Sequence, residues 1–219
     1  MARSARTTGK AAKAVSKAAP RARAAKAEPR AWQRMLSGRR LDLLNPSPFD
    51  IEIEDIAQGL ARVARWNGQT LGRHAFSVAQ HSIVVEEICR KVAPGWEKQW
   101  RLMALLHDAP EYVIGDMISP FKSALGLDYK SFESKLEAAI HLRFGLPAHP
   151  PAPVKAIIKR ADQICAYFEA VQLAGFDKRE AQSFFGAPER GLQLDLKPKP
   201  TAEIQEAFLS RFRSLLDPA

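Results

Sequence analysis

An imidazole and a carboxylate stand side by side at His107-Asp108, inside the run LLHDAPEYVIGD from Leu105 to Asp116. Neutral imidazole nitrogen and ionised carboxylate oxygen both donate to borderline divalent cations, so such a pair near the end of an apolar helical run can grip one metal ion. Two ligands are too few, and roughly two more protein donors are needed. The candidates are His81, in FSVAQHSIVVEEIC, and Asp162, in IIKRADQICAYFEA, each set among apolar residues at helical spacing. Two further carboxylates lie close by in sequence. Glu111 follows His107 by four residues and Asp108 by three, so a helix continuing past Ala109 puts it on their face. Asp116 follows Gly115, where a flexible residue can turn the chain back over the same point. Carboxylates beside a metal suit water activation and protonation of a leaving group.

The elements that must position these groups read as helices. Asp50 to Trp66 carries Ile53, Ile56, Leu60 and Val63 on one face, with an acidic first turn that suits the helix macrodipole. A second helix, about Ala75 to Val92, has Val78, Val85, Ile88 and Val92 as its stripe, with His81 one turn after Val78 at the stripe edge. Trp96 to His107 begins a third, whose LeuMetAlaLeuLeu segment is too apolar for a surface helix. Asp128 starts a fourth, with Tyr129, Phe132, Leu136, Ile140 and Phe144 in register, and leaves His141 and His149 as surface residues. Pro153 opens the helix that carries Asp162, and Thr201 to Leu216 forms a last amphipathic one. Gly175 to Thr201 reads as loops with one helical turn. No repeat and no strand stands out, so the expected fold is an all-α bundle of about six or seven main helices with the metal inside.

The segment HDAPEYVIGDMISPFK resembles the core motif of the HD-domain phosphohydrolases, in the branch of the bacterial 5′-deoxynucleotidases and related deoxynucleotide phosphohydrolases. Arg65-Trp66, Gln80 to Ser82, the HD and GD elements with Pro120 and Lys122, and Ala161 to Tyr167 follow in the family's order, covering about residues 35 to 175. The resemblance implies an HD-domain helical bundle with one divalent ion per chain, held by His81, His107, Asp108 and Asp162. Zn, Co, Mn and Fe(II) suit two His and two Asp about equally. It also implies hydrolysis of a deoxyribonucleoside 5′-monophosphate to nucleoside and phosphate. In that reading Glu111 orients or deprotonates water and Asp116 assists the leaving oxygen or contacts the sugar. Arg65 holds phosphate, Trp66 packs on sugar or base, and His74 and Lys122 are further phosphate contacts. Gln80 departs from the pattern, since the deoxynucleotidases carry an acidic residue before the first histidine. Two alternatives keep the same residues: a deoxynucleoside triphosphate hydrolase, and a metal-bound nucleotide sensor without turnover.

Composition bounds the rest. Residues 1–30 hold nine Lys or Arg against the single Glu28, so this stretch accounts for +8 of the chain's net +9. With Val15 as its only sizeable aliphatic residue past Met1, the stretch cannot offset the entropy of ordering and reads as a disordered basic tail. It offers weak nucleic-acid contact and lacks the apolar core of a secretory signal. Residues 31–219 read as one domain. No apolar run approaches the roughly 20 residues that cross a bilayer. Cys89 and Cys165 are far apart and read as reduced core thiols. A cytoplasmic protein without membrane contact, acting on nucleotide as a homo-oligomer (dimer or higher), is the expectation.

Overall fold

The computed structural model describes Met1, residues 31–117 and residues 127–216, with side chains from residue 130 onward in the second stretch. The chain divides into two units, Met1–Arg30 and Ala31–Ala219, and the helices belong to the second. Lys122 and Pro120 lie outside the described residues.

Eight α-helices are present among the described residues: α1 (Ile53–Leu60), α2 (Val78–Val92), α3 (Lys98–Leu105), α4 (Glu111–Ile114), α5 (Leu127–Arg143), α6 (Ala152–Gln172), α7 (Lys178–Phe185) and α8 (Thr201–Leu216). The fold is all-α, as expected, with one small addition. A hairpin of β1 (Trp32–Arg34) and β2 (Arg40–Asp42) pairs antiparallel in the register Trp32 to Asp42, Gln33 to Leu41 and Arg34 to Arg40. Leu41 is buried beneath it. Asp55 of α1 secures the turn, accepting from the Ser37 N–H at 2.9 Å and the Ser37 hydroxyl at 2.5 Å.

α2 runs through the centre of the bundle and packs against α3, α6 and α8, while α1 packs against α4 and α8. Its start is set by Ser77, whose hydroxyl accepts from the Gln80 N–H, and its buried face runs from Val78 through Val85, Ile88 and Cys89. α6 supplies Val154, Ile158, Ala161 and Cys165 at spacings of four, three and four, and α8 supplies Ile204, Phe208, Phe212 and Leu215. Glu86, fully buried on α2, is gripped by Arg101 of α3 through its Nε at 2.6 Å and by Arg211 of α8, so one carboxylate joins three helices. No helix among the described residues is long and apolar enough to cross a membrane.

Three boundaries differ from the periodicity. α1 stops at Leu60 instead of running to Trp66, because the chain there turns into an isolated bridge between Ala64 and Ser77, with Arg65 N–H donating to Phe76 C=O at 2.8 Å. Trp66 and Asn67 follow with φ of 57° and 50° in a short 3-10 turn, a left-handed conformation uncommon for non-glycine residues. α3 ends at Leu105, and His107 to Pro110 form a turn before α4, since Pro110 has no N–H to donate back to Leu106. Residues 178–185 form a two-turn helix whose N-cap Asp177 accepts from the N–H groups of Arg179 and Glu180. His141, read as a surface residue, is buried: the loop after α5 folds back and its Ala148 C=O accepts from His141 Nδ1 at 3.1 Å. His149 is exposed.

Candidate metal centre

His81 comes from the first turn of α2, His107 and Asp108 from the turn between α3 and α4, and Asp162 from the middle of α6. His81 Nε2 lies 3.3 Å from His107 Nε2 and 3.4 Å from Asp108 Oδ2, and His107 Nε2 lies 3.1 Å from the same Oδ2. Asp162 Oδ1 is 3.2 Å from His81 Nε2 and is the most open of the four, its side chain 38% exposed. Ligand atoms about 2.0–2.1 Å from a tetrahedral ion stand about 3.3 Å apart. The His81, His107, Asp108 triangle therefore has the edge lengths of one face of a coordination shell. Asp162 approaches His81 but stands outside the group of three whose donor atoms lie within 4.8 Å of one another, so its carboxylate would have to move to complete the shell.

The tautomers support the same point. His107 Nδ1 donates to Ala104 C=O at 2.8 Å, and His81 Nδ1 faces Glu169 Oε1 at 2.6 Å. With both Nδ1 hydrogens committed, both Nε2 lone pairs point at each other and at carboxylate oxygen, a cluster of acceptors that only a proton or a cation can satisfy. This donor set fits a divalent ion. Burial and the Arg65 charge oppose a proton on His81, but Glu169, Cys165 and the hydrogen bond to Asp108 act together against them, and its pKa stands well above the ordinary value. Burial also opposes ionisation of Asp108, and His107 and His81 outweigh it, holding that carboxyl well below its usual range. An ion entering here takes the place of the proton.

Glu169, two turns after Asp162 on the same face of α6, organises the floor of the site. Its buried carboxylate accepts from His81, from Trp66 Nε1 at 2.7 Å, from Arg65 Nε at 3.3 Å and from Cys165 Sγ at 3.2 Å. Burial alone would raise its pKa; Arg65, His81 and the Trp66 hydrogen bond reverse that and keep it ionised far below the usual carboxylate range. No motif in the sequence marks this residue. The available signal is its position within an apolar run in register with Asp162 and Cys165, where an acid needs partners.

Beside the donors opens a cavity of about 610 Å³, lined by Arg65, Trp66, Asp108, Glu111, Asp116 and Asp162 among the residues expected at the site. Glu111 is buried on its wall although the helix assumed to carry it is broken at Pro110. Arg65 Nη1 lies 3.5 Å from Asp116 and 3.9 Å from Asp108, and its Nε 3.3 Å from Glu169, so three carboxylates aim the guanidinium at the cavity. Lys159, Gln163, Phe176, Phe184 and Phe185 also line it and were missed; Gln163 lies within the Ala161 to Tyr167 segment but was given no role there, and the other four belong to no recognisable motif. His74 is half-buried and does not line the cavity. Gln80 serves the fold instead. Its Nε2 donates to Lys197 C=O at 2.8 Å and its Oε1 accepts from the Lys199 N–H at 3.2 Å, a double role that a carboxylate cannot fill.

The HD domain family model matches residues 78–167, which hold all four candidate ligands. An uncharacterized protein of Rhodobacter capsulatus is 59% identical over 191 residues, covering 85% of this chain and 96% of that protein. The uncharacterized protein YfdR of Escherichia coli is 38% identical over 106 residues, 48% of this chain and 54% of its own length. The chain belongs to the HD-domain metal-dependent phosphohydrolases.

Proposed function

We propose that this chain hydrolyses the phosphoester of a nucleotide, with deoxyribonucleoside 5′-monophosphates as substrates and nucleoside and phosphate as products. The observation that carries the reading is that Asp108, grouped with His81 and His107, opens onto a cavity also lined by two cations, Arg65 and Lys159, and by an aromatic wall. His81, His107, Asp108 and Asp162 would hold the ion, which when bound supplies Lewis acidity toward a phosphoryl oxygen and lowers the pKa of water. Glu111, buried on the same wall, orients the attacking water and takes its proton. Arg65 and Lys159 balance charge on the phosphoryl oxygens, Arg65 through a guanidinium already aimed by Glu169 and Asp116. As the water oxygen bonds to phosphorus, the bond to the sugar oxygen breaks, and the proton that Glu111 has taken from the water is returned to the leaving oxygen, with Asp116 as its relay.

A second reading, hydrolysis of a nucleoside triphosphate, is favoured by one observation. A further cavity of about 800 Å³ shares Lys159 and Asp162 with the first and adds Lys130 and Lys155, cations suited to a longer phosphate chain. The experiment is phosphate release from deoxy- and ribonucleoside mono- and triphosphates after chelation and readdition of Mn, Co or Zn, beside Asp108→Ala and Glu111→Ala proteins. Metal-dependent turnover of monophosphates, absent in both variants, is the expected result. Release of intact triphosphate selects the second reading, and silence across the panel in every metal overturns both.

A further inference from the structure

The cavity has two chemically different ends. One is the metal centre, with Asp162 and, one turn earlier on α6, Lys159. The other is a cluster of four aromatic rings, Trp66, Phe176, Phe184 and Phe185. Trp66 lies 5.6 Å from Phe176 at 56° and 5.9 Å from Phe185 at 80°, and Phe184 lies 6.2 Å from both Phe176 and Phe185. These are edge and tilted contacts, which brace the rings while leaving faces uncovered.

Phe184 is the unusual member. Its side chain is 66% exposed, although it stands on a short helix that buries only Ala181. One exposed Phe needs no explanation. An exposed Phe that completes an aromatic wall across a cavity from a metal site does. The wall is also braced on both sides. Trp66 sits in a left-handed turn, a backbone conformation uncommon for a non-glycine residue, with its indole N–H tied to Glu169. The far end of α7 is drawn back to α6 by Arg160, whose Nη2 donates to Ala187 C=O at 2.7 Å and whose Nε and Nη2 both reach Glu189 at 3.2 Å. A flat apolar surface held in place before a ligand arrives binds without ordering cost.

We propose that the α7 wall, with Phe184 as its principal face, stacks the heterocyclic base of the substrate and makes Phe184 a specificity-determining residue. The inference rests on the nucleotide reading above. Stacking uses the π face that every base has, so the wall selects nucleotides over plain sugar phosphates and tolerates different bases, ranking purines above pyrimidines by contact area. α7 lies outside residues 78–167, so this element supplies a preference that the metal-binding region does not encode.

The test compares wild type, Phe184→Ala and Phe184→Leu on dAMP, dCMP and deoxyribose 5-phosphate, reading KM and kcat, with calorimetric binding of dAMP and deoxyribose 5-phosphate as a readout that needs no turnover. The exposed position leaves both variants folded, which circular dichroism checks. A stacked base is worth roughly 5- to 150-fold in affinity. The expected result is a KM for dAMP that rises by that factor in Phe184→Ala and less in Phe184→Leu, kcat within about twofold, and an unchanged KM for deoxyribose 5-phosphate. A KM for dAMP that does not move, or a KM that rises equally for the base-free compound, overturns the proposal. If the wild type turns over none of the three, the phosphohydrolase reading fails on these substrates and calorimetry alone decides about the wall. Tighter dAMP than deoxyribose 5-phosphate, lost in Phe184→Ala, supports it; equal binding overturns it.

Discussion

Replacing Glu169 by Gln removes a charge while keeping the side chain's shape, and the geometry around it fixes the consequences. Oε1 accepts from His81 and Cys165, and Oε2 accepts from Trp66 and Arg65. An amide offers one oxygen, so its NH₂ must face two donors whichever way it turns. Toward His81 it forces the hydrogen onto Nε2, where the ion would bind; toward Arg65 and Trp66 it leaves a guanidinium and an indole without their acceptor. Partners of metal-ligating histidines typically carry 10- to 100-fold in metal affinity, about 1.4–2.8 kcal/mol. An unsatisfied buried donor costs about 1–3 kcal/mol of stability. Chelator competition for Zn or Mn should therefore show Glu169→Gln binding roughly 10- to 100-fold more weakly, and urea unfolding of the metal-free protein should show the lower stability. The pH arm has a definite sign. Because Glu169 is held below its ordinary value, its contribution is present above the unfolded pKa of about 4.3 and is lost as pH falls through the folded value, so the gap to the variant is full at about pH 6 and shrinks below about pH 4. A metal affinity within about twofold of wild type, in a variant with unchanged circular dichroism, would refute the argument that this carboxylate orients His81.

Other parts of the molecule carry further expected outcomes. Metal at about 100 times its Kd should stabilise the native state by about 2.7 kcal/mol, so stripping it should lower Tm by about 5–11 °C in differential scanning calorimetry. Against burial and Arg65, His81 is held well above its ordinary pKa by Glu169 together with Cys165 and Asp108, so metal uptake near pH 7 should release a proton, visible as a buffer-dependent heat of binding. Glu86→Ala leaves Arg101 and Arg211 facing each other across α2. With both about one quarter exposed, the loss should be about 2–3 kcal/mol, below the roughly 3–5 kcal/mol of a fully buried pair, measured as a lower urea midpoint. Burial, with Glu86 beside one and Glu169 beside the other, pushes the thiols of Cys89 and Cys165 up to about 12, so native protein at pH 8 should resist iodoacetamide that labels both in urea.

The metal donors were legible because their residue types announce a chemistry and their flanking patterns announce helices. Their meeting was not, since period alone cannot bring residues 81 and 107 to one point. Glu169 was hidden for the same reason: its partners Arg65 and His81 lie 104 and 88 residues away. The hairpin strands are three residues each, too short to write an alternation. The end of α1 was masked by Val63, which continues the apolar period while its backbone already pairs with Val78 across the turn. His141 shows the converse error, where position beside a stripe predicts exposure until a loop from the next segment covers it. α7 carries two phenylalanines toward a cavity instead of the core, so its buried face consists of one alanine and writes almost no stripe.

Gly59 contributes no atom to the donors or the cavity, yet it governs one of their dimensions. A Cβ there would meet the Cβ of Tyr112 at 2.8 Å and its carbonyl oxygen at 2.9 Å, atoms of the backbone turn that also carries Glu111. α1 and α4 thus touch with no side chain between them. The thickness of this contact is a shim: any residue larger than glycine at 59 must push α4, and with it the Glu111 carboxylate, relative to ligands mounted on α2 and α6. The distance from Glu111, the proposed general base, to the proposed metal ligands is thus partly a matter of bundle spacing, and a residue remote from both sets the gauge.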